Sequence, residues 1–298
     1  MKKKPLTPKK LEWAKNRTVT LKGAPLNHNA ALMARYRREI LKLVRTMAAA
    51  TKREITALFD SRVATAFLEQ QAEAEAMDAA PTITSKAKQS IAKLQDRFTD
   101  LFRIKSAKLA DEMLGDVDTT SARQLGSSLK ELSGGLTLNT SIVPPGMAAE
   151  SNAIIAENVS LITSIPQQYF TGISGAVMRS ITTGNGLNDL IPAIQKIDGV
   201  TERRATNIAR DQTRKAYNMI NKQRMVAIGV KQFRWLHSQG QGHPRQSHLK
   251  ILNGRVFSFE NIIAEQIALG VTDPYDQGLP SISANCGCRF IPVLNFGE

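Results

Sequence analysis

The sequence predicts a mainly α N-terminal region, a helical hairpin or bundle, followed by a small C-terminal α+β domain that one reading of its histidines and cysteines staples with zinc. Three observations carry this. Aromatic residues make up only 5% of the 298 residues, so packing rests on Ala, Leu, Ile and Val, a composition that favours helix. Apolar positions recur at three- and four-residue steps up to about Ile228 and then alternate, the change from a helical to a strand period. Finally, three of the four histidines, His237, His243 and His248, fall close together, and both cysteines sit in Cys286-Gly287-Cys288.

Residues 1–27, rich in Lys, Pro and Thr, carry no clear period and read as a basic flexible arm. Asn27 or Asn29 is placed to cap a helix running to about Met77, on which Tyr36, Ile40, Leu43 and Met47 form one apolar stripe. Ala79-Ala80-Pro81 breaks it. A second helix starts at Thr84 or Ser85 and ends near Leu114-Gly115, making a hairpin with the first. A third segment, about 120–132, stops at Gly134-Gly135, and Pro144-Pro145 marks an elbow. Helices follow at about 147–163, 166–182 and 187–197, with Asp198-Gly199 as punctuation. Thr201 then caps a helix that Gly229 ends. Lys231–His237, Arg255–Phe259 and Cys288–Leu294 alternate like strands. The resulting organisation is an arm (1–27), a long-helix hairpin region (28–135), a helical connector (136–200) and a C-terminal domain (201–298).

Charge is segregated. The chain carries a formal +14, distributed as +11 over residues 1–60, −3 over 61–200, +10 over 201–255 and −4 over 256–298. Two basic blocks of this kind suit a polyanion or the acidic surface of a partner. The candidate contacts are Lys2, Lys3, Lys4, Lys9 and Lys10 in the arm, Arg35, Arg38, Lys42 and Arg45 on the polar side of the first helix, and Arg203, Arg210 and Arg214 on the helix after Thr201. No apolar run reaches the roughly 20 residues a membrane span needs, and the basic start lacks the apolar segment of a secretory signal. The expectation is a chain without a membrane role, made in the cytoplasm.

Thiolate and imidazole together are the donor set zinc prefers, and Gly287 allows the tight turn that aims both sulfurs at one centre. A disulfide between residues one position apart is badly strained. The residues alone leave three readings open: a structural metal, a buried polar cluster of reduced cysteines and histidines, and catalysis with Cys286 as nucleophile and His248 as base. The sequence contains no His-Glu-x-x-His, no Gly-Lys-Ser/Thr phosphate loop, no Gly-x-Ser-x-Gly and no Pro-Cys-x-x-Cys. No residue is therefore assigned a catalytic role, and the expectation is a protein that works by binding and not by turnover.

Residues 203–294 resemble the phage Mu F-like head morphogenesis family of minor capsid proteins. The likeness rests on four pieces in order: the helix Arg204-Ala-Thr-Asn-Ile-Ala-Arg-Asp-Gln-Thr-Arg-Lys-Ala-Tyr-Asn218; Gly229-Val with Phe233-Arg-Trp235-Leu; His243-Pro-Arg245-Gln-Ser-His248 with Leu252-Asn-Gly254 and Val256-Phe257; and Asn285-Cys286-Gly-Cys288-Arg-Phe290. Two features depart from the pattern. The turn Ser238-Gln-Gly-Gln-Gly242 lacks the acid many members carry, and Gly287 stands where Arg is common. The resemblance implies a structural protein present in few copies in the virion, in the capsid interior or at the portal vertex, after assembly in the host cytoplasm. Its implied partners are the portal or major capsid protein and double-stranded DNA, with oligomerisation only through the capsid. It also implies His248, Cys286 and Cys288 as a shared structural zinc cluster. His243 is the choice for the fourth ligand, with His237 or water as rivals. A DNA-binding packaging or ejection accessory is the second reading, and a metal-dependent nuclease or effector the third.

Overall fold

The structure is a computed structural model that describes residues 19–59, 83–132, 140, 146–184, 186–238 and 244–296. Its elements in chain order are β1 (Val19–Lys22), α1 (Ala30–Leu58), α2 (Ile83–Leu132), α3 (Met147–Thr183), α4 (Leu187–Ala227), β2 (Gln232–Leu236), a π-helical turn (Ser247–Leu252), β3 (Val256–Ser258), α5 (Ile262–Ala268), a 3₁₀ turn (Pro274–Asp276) and β4 (Arg289–Phe296). The mainly helical N-terminal part and the small C-terminal α+β part are both as the sequence predicts.

The helix ends that held are those with a specific capping group. Asn29 Oδ1 accepts the backbone N–H groups of Ala31 (3.0 Å) and Leu32 (3.1 Å), so it is the N-cap of α1. Gly229, at φ 82°, ends α4: its N–H bonds Val226 O and the Val230 N–H bonds Met225 O, the paired bonds of a Schellman stop.

Internal punctuation read from Gly, Pro and Thr did not hold. The expected end at Gly115 and restart at 120 are one 50-residue helix, α2. A helical Gly costs only about 1 kcal/mol, and the buried Met113, Leu114 and Val117 around Gly115 outweigh it. Likewise α3 runs through Pro166 and α4 through Gly199. Ile162, Ile165, Tyr169 and Phe170 bury the turn around Pro166. Asp198 is no breaker because it accepts a hydrogen bond from the Tyr169 hydroxyl at 3.0 Å, and Thr201 is no cap because its hydroxyl bonds Ile197 O at 2.8 Å within the same helix. The expected extension of α1 to Met77 and the break at Pro81 lie outside the described residues.

The chain divides into two units. One comprises residues 34–110 and 155–209, and holds segments of all four long helices. Its core has Tyr36, Ile40, Val44, Met47, Phe98 and Phe170, with Phe98 and Phe170 stacked at 6.3 Å and the buried Tyr36 hydroxyl donating to Asn158 Oδ1 at 2.9 Å. Arg35, Arg38, Lys42 and Arg45 fall on the exposed side of α1, as its amphipathic pattern requires.

The other unit comprises residues 1–33, 111–154 and 210–298. Its sheet is antiparallel with order β1-β4-β2-β3, pairing Val19 with Phe296, Trp235 with Phe290 and Phe233 with Phe257. Phe233, Phe257, Phe259 and Phe290 pack together on this sheet, Phe233 meeting Phe290 edge-on at 4.7 Å. The expected flexible arm of residues 1–27 is thus a structural part of the C-terminal domain from Val19 onward, because the free N–H and C=O groups along β4 accept β1 as a further strand. The Leu26 N–H adds a bond to Phe290 O at 2.9 Å. Lys2, Lys3, Lys4, Lys9 and Lys10 lie outside the described residues.

Behind the sheet, α4 packs on the C-terminal half of α2. Ser121 donates to Asn221 Oδ1 (2.8 Å) and the Tyr217 hydroxyl to Gln124 Oε1 (2.6 Å). The buried Arg224 reaches Asp118 Oδ1 at 2.5 Å and also the carbonyl of Thr140. His28, just before α1, meets the Tyr217 ring edge-on at 5.6 Å and Ser281 Oγ at 3.4 Å. Burial, with the positive charges of Arg214 and Arg289, pushes its pKa from 6.5 down to about 3. The folded state therefore holds His28 neutral while the unfolded chain takes up a proton below pH 6.5, so stability from this seat is full above 6.5 and declines as pH falls toward 3. In chemical denaturation between pH 7 and 4, His28→Gln should remove an acid-dependent slope of up to about 1.4 kcal/mol per pH unit. An unchanged slope would count against this account.

Candidate metal centre

His248 is carried on the π-helical turn Ser247–Leu252, a backbone form that recurs at functional sites. The residues just before β4 supply Cys286 and Cys288. All three side chains are buried, and their donor atoms lie within 4.8 Å of one another. His248 Nδ1 is 3.6 Å from Cys286 Sγ and 3.7 Å from Cys288 Sγ.

The tautomer follows from the other ring nitrogen. His248 Nε2 lies 3.0 Å from the carbonyl oxygen of Asp276, and a carbonyl only accepts, so Nε2 carries the hydrogen. In the neutral ring the lone pair on Nδ1 then faces the two sulfurs, the arrangement of a metal-binding histidine fixed by an outer carbonyl.

The sulfurs are surrounded by donors. The backbone N–H groups of Ser281 (3.4 Å) and Cys288 point at Cys286 Sγ, and the Ser238 N–H points at Cys288 Sγ. The buried Trp235 indole N–H has no oxygen or nitrogen acceptor among the described residues and lies beside the Cys288 sulfur. Between the two cysteines, donation from the Cys288 thiol is the largest influence on Cys286. With the Cys288 amide it overcomes burial and lowers the Cys286 thiol to about 4, while that hydrogen bond and burial push Cys288 up. One thiolate is thus favoured even without an added charge.

Three donors of this kind fit a tetrahedral ion. With bonds of about 2.0–2.1 Å to nitrogen and 2.3 Å to sulfur, the N···S edge of a tetrahedral zinc centre is about 3.6 Å. The observed 3.6 and 3.7 Å already have that spacing. His248, Cys286 and Cys288 can therefore hold a metal ion. His243 lies outside the described residues. His237 is buried next to the cluster, where burial lowers its pKa against the pull of Cys286.

Helix α4 positions the cysteines. Asn218, fully buried, donates from Nδ2 to the carbonyls of Pro280 (2.8 Å) and Cys288 (3.2 Å). Asp211 Oδ2 accepts the Asn285 N–H at 2.9 Å, and Arg210 Nη2 donates to Asn285 Oδ1. Asn285 adopts φ 60°, a left-handed turn that Asn tolerates, and this turn reverses the chain into Cys286. Arg214 presses on Gly287: a Cβ there would lie 3.3 Å from Arg214 Nη1 and 3.1 Å from Ser238 Cβ. A side chain at the middle of Cys-Gly-Cys would have to displace these two neighbours by a few tenths of an ångström. Burial and Arg210 work against the charge of Arg214, while Asp211 and both cysteines favour it.

The Arg-x-x-His stretch also has a geometric role. Arg245 pairs with Asp276 at 2.7 Å and donates to Ala284 O at 3.0 Å, so it ties the His248 turn to both sides of the loop that ends in Cys286. Ser247 Oγ adds a 2.5 Å bond to Asp276 Oδ2. In Asn-Gly, Asn253 Oδ1 accepts the His237 N–H at 3.0 Å, and Gly254 turns at φ 82° with its N–H on Trp235 O at 2.8 Å.

Of the three arginines expected to form one outward basic face on α4, only Arg203 is exposed; Arg210 and Arg214 turn toward the closing loop and the thiols. Composition could not separate them, because the partners of Arg210 and Arg214 lie more than 70 residues downstream. Asp276, Ser281 and Asn218 are not among the site residues the sequence singles out; the hint for Asn218 is its place at the end of the Tyr-Asn motif on α4. Asn218→Ala should take its donor from the buried Pro280 carbonyl, leave the Cys288 carbonyl with the Ser281 hydroxyl alone, and destabilise the protein by about 1–3 kcal/mol. Thermal denaturation checks this, and a melting temperature equal to that of the unchanged chain would contradict it.

Residues 171–291 match the family described as Phage Mu protein F like protein. A relative from Haemophilus influenzae (strain ATCC 51907 / DSM 11121 / KW20 / Rd), bearing the name "Uncharacterized protein", is 28% identical over 224 residues, covering 74% of this chain and 47% of its own length. The chain therefore spans about half the length of that curated relative. No solved structure matches. The family segment takes in all of α4, the sheet strands β2 and β3 and the cysteines of the candidate centre, and over that segment the chain is similar to the phage Mu F-like family.

Proposed function

We propose that this chain is a structural minor head protein of a tailed bacteriophage, acting in head morphogenesis near the portal vertex through binding and without turnover. The observation that carries the reading is the phage Mu F-like segment, whose sequence motifs are used in this chain to close one domain on α4. The site supports a structural role. Its histidine and cysteines are buried, so a substrate has no direct access to the sulfurs, and the surrounding N–H donors stabilise thiolates in place. Zinc is the metal this donor set favours, and once bound it would cross-link the His248 turn to the start of β4, stabilising a small domain. No helix among the described residues is long and apolar enough to cross a membrane.

In particles purified from an induced lysogen carrying the gene, quantitative mass spectrometry should find the chain at a copy number far below that of the major capsid protein. Deletion of the gene should yield heads that are misassembled or lack DNA. Normal infectious particles that lack the chain would overturn the proposal.

Contact with packaged DNA is a second reading, favoured by the exposed cations Arg38 and Lys42 on α1. Binding to duplex DNA should then weaken with salt, with a log–log slope of about −0.9 per phosphate neutralised. Arg38→Glu with Lys42→Glu should make that slope shallower by about two such contacts. An unchanged slope in the double variant would assign the basic face to a protein partner.

A further inference from the structure

We infer that the C-terminal domain docks on a second copy of itself, the Tyr275 turn of one molecule entering a cavity at the far end of the sheet of the next. The inference goes beyond the head-protein reading and does not depend on it.

The two features lie at opposite ends of one sheet. Strand β4 runs antiparallel to β2, pairing Leu236 with Arg289 at one end and Gln232 with Val293 at the other. The cysteines lie at the Arg289 end, and the turn Pro274–Asp276 is tied there. Ser283 donates from Oγ to the Tyr275 carbonyl at 2.6 Å, and the Asp276 carbonyl accepts from His248 Nε2 at 3.0 Å. At the Val293 end α4 has stopped, the chain enters β2, and Ser258 of β3 pairs with Gln232. Here a cavity of about 680 Å³ opens. Both ends belong to the same unit of the chain.

The turn has the character of an anchor. Tyr275 is 82% exposed, the most exposed large hydrophobic side chain among the described residues. Its backbone is nevertheless fixed: Asp273 Oδ1 accepts the Tyr275 N–H at 2.9 Å, and the Asp276 N–H bonds Asp273 O at 2.9 Å. Pro274 restricts the same turn. A tyrosine held this way offers a large contact area at little entropic cost, as interface anchors do. Of the flanking acids, Asp276 pairs with Arg245, whereas Asp273 is exposed. The turn therefore presents an aromatic ring beside a carboxylate.

The cavity complements it. The buried Val230 and Val293, with Phe259, supply apolar lining, while Lys222, Lys231 and Glu260 supply charge, two cations against one acid. Its volume falls within the range of about 300–1,000 Å³ typical of binding pockets, so a tyrosine ring and its neighbours fit. The turn comes from the stretch 256–298, which carries −4, and the two lysines from 201–255, which carries +10. Opposite charge at opposite ends orients copies head to tail. Because knob and cavity are different patches, the contact is heterologous, and every copy keeps one free patch of each kind until a ring closes.

The test uses the full-length protein, treated with nuclease and freed of nucleic acid, in sedimentation equilibrium over a range of concentrations. The average mass of the unchanged protein should rise with concentration and fall with added salt. Tyr275→Ala, and separately Lys222→Glu with Lys231→Glu, should each weaken association by about 30-fold, the loss at an interface hot spot. None of these side chains is buried, so both variants should keep the fold, which circular dichroism checks. An equimolar mixture of the two variants decides the geometry. The first retains the cavity and the second the turn, so the mixture should recover association and stop at a 1:1 dimer. An unchanged protein that stays monomeric at every concentration, undiminished association in either variant, or a mixture that stays monomeric would overturn the inference.

Discussion

The C-terminal domain depends on one side of helix α4. Asn218 holds the carbonyls of Pro280 and Cys288 from a fully buried position, and Asp211 and Arg210 fix Asn285 one helical turn and more away. These contacts join residues separated by about 70 positions, so they cannot be local consequences of the loop's own sequence. With the loop tied at both its ends to a rigid helix, Cys286 and Cys288 are held where the His248 turn can reach them. A loop of this length left to itself would have to give up its conformational freedom at a cost of about 1–2 kcal/mol per residue. Burial of Phe233, Phe257 and Phe290 against Trp235 on the sheet is the large favourable contribution on the other side.

Several features of the site were legible in the sequence because they reside in residue type. A Cys-Gly-Cys next to a β-alternating stretch and an upstream Arg-x-x-His announce a thiol–imidazole cluster, and the structure assembles it from His248, Cys286 and Cys288. Capping was also legible at Asn29 and Gly229, where one side chain or one backbone angle decides the outcome. Helix punctuation was not. Gly115, Pro166 and Gly199 carry local penalties of about 1–3 kcal/mol, and long helices with apolar faces of many residues recover more than that by burial. Thr201 and Asp198 show the same effect in polar residues, since each finds a hydrogen bond inside the helix array that a sequence window does not display.

The direction of the arginines on α4 was a second limit. Arg203, Arg210 and Arg214 recur at intervals that share a helical face, and a positive stripe is the simple reading. Only distant chain segments distinguish them: Asn285 engages Arg210, and Gly287 gives Arg214 room beside the thiols. Gly287 is the same point seen from the other side. Its lack of a side chain reads in the sequence as turn freedom, whereas in the structure it is the space into which Ser238 and Arg214 pack.

The pairing of β1 with β4 has a consequence for how the chain becomes folded. Val19 waits for Phe296, so a ribosome delivers every long helix before the sheet can receive its outer strand. Closure of so distant a contact is slow relative to helix formation, and until it occurs one edge of β4 presents unpaired N–H and C=O groups to other nascent chains. Completion of the domain is thereby tied to synthesis through β4: a product truncated before it lacks the strand that gives β1 its place.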